Sequence, residues 1–280
     1  MTQNNIHNIS DDVIAGGPSD AAGREFRRDG WDAETRFGAV VPHADVGPEC
    51  ELEAMGSPHV SIHAGRLYFS AMRAGGEMDE KIPHAPVASF AEPPYVDETV
   101  EHLAASPLDV IALAFTSSAY KHGPGGERKL VERLAPRARN IPITTTCLAA
   151  AAAFSELGPQ RIALVNPPWF DSALDRAGAE YFSEQGFNIV HHSPCGLPSG
   201  QRFITPAGLY EWVVGVVKNH HPDTVMIAGN GQRAVGIIEA IERDLGITLL
   251  TANQLVLWHG LKLTNRTPLV QGYGRIFTTL

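Results

Sequence analysis

Two short turns carry residue types that could do chemistry, and each closes an apolar run. Thr116-Ser117-Ser118 follows DVIALAF (109–115), and Gly229-Asn230-Gly231 begins as TVMIA (224–228) ends. Hydroxyls and exposed backbone N–H groups at the first turn suit an anion or oxyanion pocket. At the second, glycine lets the backbone approach a ligand, and Asn230 adds an amide donor and acceptor. A helix expected from Gln232 to Leu245 would aim its positive N-terminus at the same place. The competing structural reading is internally satisfied Ser/Thr caps at one turn and a tight strand-to-helix connection at the other.

Neither turn holds a Cys, His or carboxylate, so proton transfer has to come from neighbouring loops. His43 and Asp45, in VVPHADVGPECE (40–51), form a close His/Asp set that could serve as a general base. Tyr120 and His122, just past the first turn, are further proton-transfer candidates. Trp169, in VNPPWFD (165–171), could wall an apolar pocket and lend its N–H, with a simple packing role as the alternative. Cys147 follows Thr144-Thr145-Thr146 at a helix start, where a thiol pKa falls; a buried structural cysteine is the stronger reading. His191, His192, His220, His221 and His259 show no metal spacing, and no Cys/His pair has zinc spacing. No metal and no cofactor are therefore expected. His259 reads as a helix-packing residue and Arg66 as a strand-packing or interface residue.

The elements that must position these residues alternate. FGAVVP (37–42), HVSIHAGRLYF (59–69), DVIALAF (109–115), IPITTT (141–146), RIALVN (161–166), FNIVHH (187–192), TVMIAG (224–229) and ITLLTANQ (247–254) read as strands. Helices are expected over 97–106, 125–138, the Ala-rich 147–158, 172–186, 205–220, 232–245 and 255–263. Such alternation predicts an α/β fold with a mainly parallel sheet, and ligands at the carboxyl ends of its strands. A faint internal repeat is also present: in each half a strand and its turn are followed, one helix later, by a short strand ending in Thr. It predicts two pseudo-symmetric, flavodoxin-like halves facing a shared pocket. Loops 43–47, 116–120, 166–170 and 229–232 would line it, bringing in Asn166 and Gln232. The expected divisions are an N-terminal extension (1–36), a first half (37–150), a second half (151–265) and a tail (266–280).

Composition narrows the classes. The 280 residues carry a formal net charge of −9, with 44% hydrophobic and 19% charged residues. An acidic chain without basic clusters argues against nucleic acid and anionic membranes as partners. Three cysteines are no disulfide framework, and the cytoplasm is the expected setting. No apolar run approaches a membrane span, and the polar, Gly-rich first 23 residues do not read as a signal peptide. They are expected to form an arm or a packing extension.

The order of the turns resembles the aspartate/glutamate racemase superfamily, and within it the arylmalonate decarboxylase and maleate cis-trans isomerase branch. The stretches that carry the resemblance are VVPHADVGPECE, VSIHAGRLYF, DVIALAFTSSAY, IPITTTCLAAAAAFSELGPQRIALVNP and ITLLTANQLVLWHGLKL, spanning roughly residues 37–265. The resemblance implies an active site between the halves, with Pro42, Thr116, Ser118, Gly229, Gly231 and Trp169 among the binding positions. It further implies cysteine-centred chemistry, either with two facing thiols or, in the decarboxylase, with the second alone as proton donor. Here the sequence departs from the pattern: Phe115 stands where the first thiol would be, and Gly229 where the second would be. The expectation is a cofactor-independent lyase or isomerase acting on a small carboxylic acid through an enolate-type intermediate. His43, Asp45, Ser117, Tyr120 and Asn230 are its expected catalytic residues. The alternatives are a catalytically inactive small-carboxylate binding protein, or a hydrolase using Ser117 or Cys147. A homodimer or homotetramer is expected for such a chain.

Overall fold

The computed structural model describes residue 23, residues 26–27 and residues 29–280. The expected N-terminal arm thus lies largely outside the described residues. The chain divides into the units Met1–Ala33 and Glu34–Leu280, and the fold below is that of the second.

Among the described residues, eight strands form two four-stranded sheets, each wholly parallel. In the first half β1 (Thr35–Pro42) leads to α1 (Gly47–Gly56) and β2 (Val60–Leu67). Helices α2 (His84–Ser89) and α3 (Tyr95–Leu103) precede β3 (Val110–Leu113), α4 (Thr116–Leu134), β4 (Ile143–Thr145) and α5 (Thr146–Leu157). The second half runs β5 (Ile162–Asn166), α6 (Ser172–Ser183), β6 (Ile189–Pro194), α7 (Pro206–His220), β7 (Thr224–Ile227), α8 (Ile238–Leu245), β8 (Thr248–Thr251) and α9 (Ala252–Leu263). The sheet orders are β2-β1-β3-β4 and β6-β5-β7-β8. This shared order is the physical content of the internal repeat.

Strands β3, β5, β7 and β8 are buried along their whole length, as near-continuous apolar runs covered on both faces must be. Helix boundaries follow local chemistry. Thr145 caps α5 by accepting from the Leu148 N–H at 3.2 Å, Asp171 caps α6 through Leu174 at 2.8 Å, and Thr205 with Pro206 opens α7. Gly158 and Gly246 end α5 and α8 in the left-handed region.

Three boundaries differ from expectation, and two of them bear on the site. α4 begins at Thr116 rather than near 125; the turn at Gly123 (φ 68°) and Pro124 bends it and hides its first part from a periodicity reading. α8 begins only at Ile238, after a 3₁₀ turn over Val235–Ile237. The Gly-Asn-Gly turn is therefore not a helix N-terminus, whereas the Thr-Ser-Ser turn is. Helix α1, which opens with Gly47-Pro48, shows little apolar periodicity and reads as loop in the sequence.

The halves interlock. Helix α9 packs on α5 and reaches β3 and β4 of the first sheet, and α4 packs on α6. Gly260 of α9 makes room for the Phe37 ring: a Cβ there would overlap it. The Thr144 hydroxyl meets His259 Nδ1 at 2.7 Å, so His259 is a packing residue, and burial lowers its pKa to about 4. A strap over residues 68–83 crosses from the first half to the second. Lys81 Nζ donates to the carbonyls of Pro168 (2.6 Å) and Phe170 (2.9 Å), and the Ile82 N–H donates to Trp169 O at 3.0 Å.

Lys81→Ala removes two charge-assisted bonds from this strap, and a loss of about 1–3 kcal/mol is expected. Thermal unfolding measures it, and limited proteolysis should show new cleavage within 68–83. An unchanged melting curve would show that the strap is held without Lys81, by the Ile82 N–H and its apolar side chains.

Candidate functional site

In each half the strand order reverses direction between the first and third strands, β1 and β3 in one, β5 and β7 in the other. Crevices beyond the carboxyl ends of such strands are where α/β sheets bind ligands. The four strand ends meet at an inner cavity of about 40 Å³. Pro42 and Asp45 line it from β1, Thr116 and Ser117 from β3, Trp169 from β5, and Gly229, Asn230 and Gly231 from β7. Those expected site residues are thus brought together. Phe69, Met72, Met78, Ile82 and Phe170 supply apolar walls from the strap and the β5 loop.

The junction is fastened by one side chain. Asn230 Oδ1 accepts from the Thr116 hydroxyl (2.9 Å) and the Thr146 hydroxyl (3.0 Å), both in the first half. Its Nδ2 donates to Asn253 Oδ1 (2.9 Å), and Asn253 Nδ2 donates to Asn230 O (2.9 Å) and Glu51 (2.7 Å). Glu51 also accepts the N–H groups of Ala234 (2.7 Å) and Val235 (3.0 Å). The Asn230 amide, expected to face a ligand, is instead engaged as a clamp. Thr116 is engaged too, because its hydroxyl accepts the Gly229 N–H at 3.1 Å.

What stays open faces the cavity. Ser117 is buried, and its hydroxyl has no hydrogen-bond partner among the described residues. The N-cap of α4 is Phe115, which offers no side-chain acceptor, so first-turn N–H groups remain uncapped. Opposite charge is supplied by Asp45. Burial raises its pKa to about 6, against the lowering effects of the Gly47 N–H (2.8 Å) and Gln201. Arg66 steadies the loop by donating to the carbonyls of His43 and Asp45 (3.2 Å each) while paired with Glu49. Burial likewise raises Glu51 to about 7, opposed by its three hydrogen bonds.

The other expected residues lie elsewhere. His43 Nδ1 accepts the Phe69 N–H at 3.2 Å and its ring packs on Tyr68, outside the inner cavity. Tyr120 packs against Phe170, Tyr181 and Phe182 on the bare surface of Gly178, and burial holds its pKa well above the ordinary value. It is placed for packing, not for proton transfer. Ser118 and His122 line a different cavity, of about 310 Å³, on the other side of Phe115. Asn166 is buried and donates to Asp175 at 2.7 Å. Gln232 donates to Ala228 O at 2.7 Å and lines only an outer cavity. Sequence reasoning missed Gln201, which hydrogen-bonds Asp45, and Glu51, which joins the Asn230–Asn253 clamp. Glu51 sat within a quoted stretch without a role, and Gln201 lies in an irregular loop with no pattern to flag it.

Among the described residues no cysteine lines the inner cavity, and Cys50 lines the outer one. Cys147 is fully buried, with Sγ 3.8 Å from Thr116 O, and burial holds its thiol well above the usual range. Cys195 is buried against Gln232, its pKa pushed up to about 11. Phe115 and Gly229 do line the cavity. Gly229 has φ 83°, and a Cβ there would overlap Pro167. Cys147 thus lies buried outside the inner cavity, and the Ser117 hydroxyl has no hydrogen-bonded base among the described residues.

A sequence model described as arylmalonate decarboxylase matches residues 92–277. No curated protein matches the chain. Among solved structures, that of arylmalonate decarboxylase is 19% identical, with 88% of this chain and 100% of that chain covered and a TM-score of 0.71. The maleate isomerase of Pseudomonas putida is 18% identical, with 87% and 98% covered and a TM-score of 0.74. A Nocardia farcinica maleate cis-trans isomerase mutant with a covalently bound succinylcysteine intermediate is 19% identical, with 88% and 99% covered and a TM-score of 0.74. These likenesses show the fold.

Gly229→Cys is expected to destabilise the protein by about 2 kcal/mol or more, from positive φ and overlap with Pro167. Thermal unfolding checks this, and an unchanged midpoint would show that the turn relaxes. A second test concerns pH. Asp45 sits at about 6 in the fold against 3.8 ordinarily, so the folded state holds a proton that the unfolded chain releases. Its contribution to stability is full below 3.8 and is lost as pH rises through about 6. Between those values the melting temperature of Asp45→Asn should fall less with rising pH than that of the unaltered protein. Parallel pH profiles would contradict the assignment.

Proposed function

The chain belongs to the arylmalonate decarboxylase family, and from that premise we propose a cofactor-independent lyase or isomerase that acts on a small carboxylic acid. A substrate carboxylate lies at the first turn of α4. As a carbon–carboxylate bond breaks and carbon dioxide leaves, the electron pair stays behind and negative charge develops on the remaining carboxylate oxygens; where a carbon-bound proton leaves instead, the Asp45 carboxylate takes it and returns it in its acid form. The uncapped N–H groups of α4 and the Ser117 hydroxyl stabilise that enediolate. Asp45, in its acid form, then delivers a proton to the planar carbon and regains one from water.

The observation that carries this reading is a buried carboxyl near neutrality, Asp45, lining one small cavity with the open first turn of α4. In the Nocardia farcinica neighbour the covalent intermediate is a succinylcysteine. In this chain the corresponding work falls to an oxygen acid, because no thiol lines the cavity. Gln201 holds the Asp45 carboxyl in place as a positioning residue.

Proton NMR in D₂O with substituted malonates, maleate and aspartate tests the reading. Loss of carboxylate, deuterium at carbon or a double-bond change is expected for at least one compound. Asp45→Asn should lower kcat by roughly 10²–10⁴-fold, and Ser117→Ala by roughly 10²-fold. In a decarboxylation Asp45 works protonated, so kcat should fall as pH rises past about 6. Undiminished turnover by Asp45→Asn would overturn the assignment.

A further inference from the structure

The inner cavity, at about 40 Å³, is far smaller than the outer one it adjoins, at about 680 Å³. On the proposed function it receives the reacting carboxyl group. The rest of the substrate then lies in the outer cavity, which shares Met78, Gln201 and Gly231 with the inner one. The chemistry of that outer cavity therefore decides the substrate class.

Its charge runs against that of the chain. The molecule carries 31 acidic and 22 basic residues, yet Arg73, Arg202 and Arg233 line the outer cavity against only Glu51 and Glu77. Glu51 is committed to Asn253, Ala234 and Val235, and burial holds it at about 7. Arg73 is paired with Asp79 at 2.7 Å. Arg202 is held over the Phe203 ring at 4.8 Å, and Arg233 is exposed with no ion pair among the described residues. Two guanidinium groups are thus left for a ligand. Bare backbone lines the same cavity: Gly75 (φ 80°), Gly76 (φ 74°) and Gly200 (φ 109°) adopt conformations that exclude most side chains and let a ligand approach closely.

We propose that the outer cavity binds a second anionic group, a carboxylate or a phosphate, at the far end of the substrate from the reacting carboxyl. Arg202 and Arg233 recognise it. This rests on the proposed function, because the reacting end is the group that enters the inner cavity. The substrate is then an extended acid with charge at both ends. Guanidinium forks match carboxylate and phosphate oxygens in two-point hydrogen bonds, which a neutral tail cannot make.

Isothermal titration with benzylmalonate, (4-carboxybenzyl)malonate and (4-phosphonobenzyl)malonate tests the proposal. At least one charged-tail compound should bind 10-fold or more tightly than benzylmalonate, and the charged compound that binds better identifies the tail. That advantage should shrink in 0.5 M NaCl and fall toward one-fold in the Arg202→Ala/Arg233→Ala variant. Equal binding of all three, or an advantage that survives in the variant, overturns the proposal. If no malonate binds, malonate decarboxylation is ruled out instead, and the outer cavity is judged separately with glutarate and inorganic phosphate. A rise in melting temperature that the double variant abolishes supports the anion site, and no rise with either probe overturns it.

Discussion

Everything at the site depends on one amide. Asn230 sits in the turn after β7, yet its oxygen is held by hydroxyls from α4 and α5 of the other half. Its nitrogen is held by Asn253 of α9. Buried polar groups need partners, and here each partner belongs to a different element, so the amide fixes where the elements meet. With Asn230 placed, the Gly229 N–H donates to the Thr116 hydroxyl and Gly231 lies beside Asp45. The chain looks as though it presents Asn230 to a ligand, but it uses Asn230 to build the wall that a ligand meets.

The second constraint is burial of a carboxyl. Asp45 is shielded from water by Gly47, Gln201 and Gly231, and a Cβ on Gly231 would overlap Gln201 and reach Asp45. Burial disfavours its charged form, while the Gly47 N–H and Gln201 favour it, and the balance falls near neutrality. That is the range in which an acid can both give and regain a proton at physiological pH. Carboxyl groups and thiols can both fill such a role when their pKa is tuned toward neutrality. Cys147 and Cys195 are buried away from the inner cavity, Cys50 lines only the outer one, and Gly229 has no space for a side chain.

Much of the fold was legible in the sequence, because buried parallel strands leave unbroken apolar runs such as VIAL and TVMI. The repeat foretold two matching sheets, and the four strand-end loops foretold the cavity. Local errors have local causes. Gly123 and Pro124 disguised the start of α4, and a 3₁₀ turn delayed α8. Side-chain direction was harder to read. His43, Tyr120 and Asn166 lie on or beside the right segments but are engaged in packing or hydrogen bonds outside the cavity. Gln201 was invisible, since its role comes from a loop brought to Asp45 only by tertiary folding.

The most direct test is a carbon-13 NMR titration of the Asp45 carboxyl, assigned by its loss in Asp45→Asn. The account predicts a midpoint of about 6, well above the ordinary 3.8. A midpoint at or below the ordinary value would mean a solvated carboxylate at that position. It would contradict the assignment of proton transfer to Asp45.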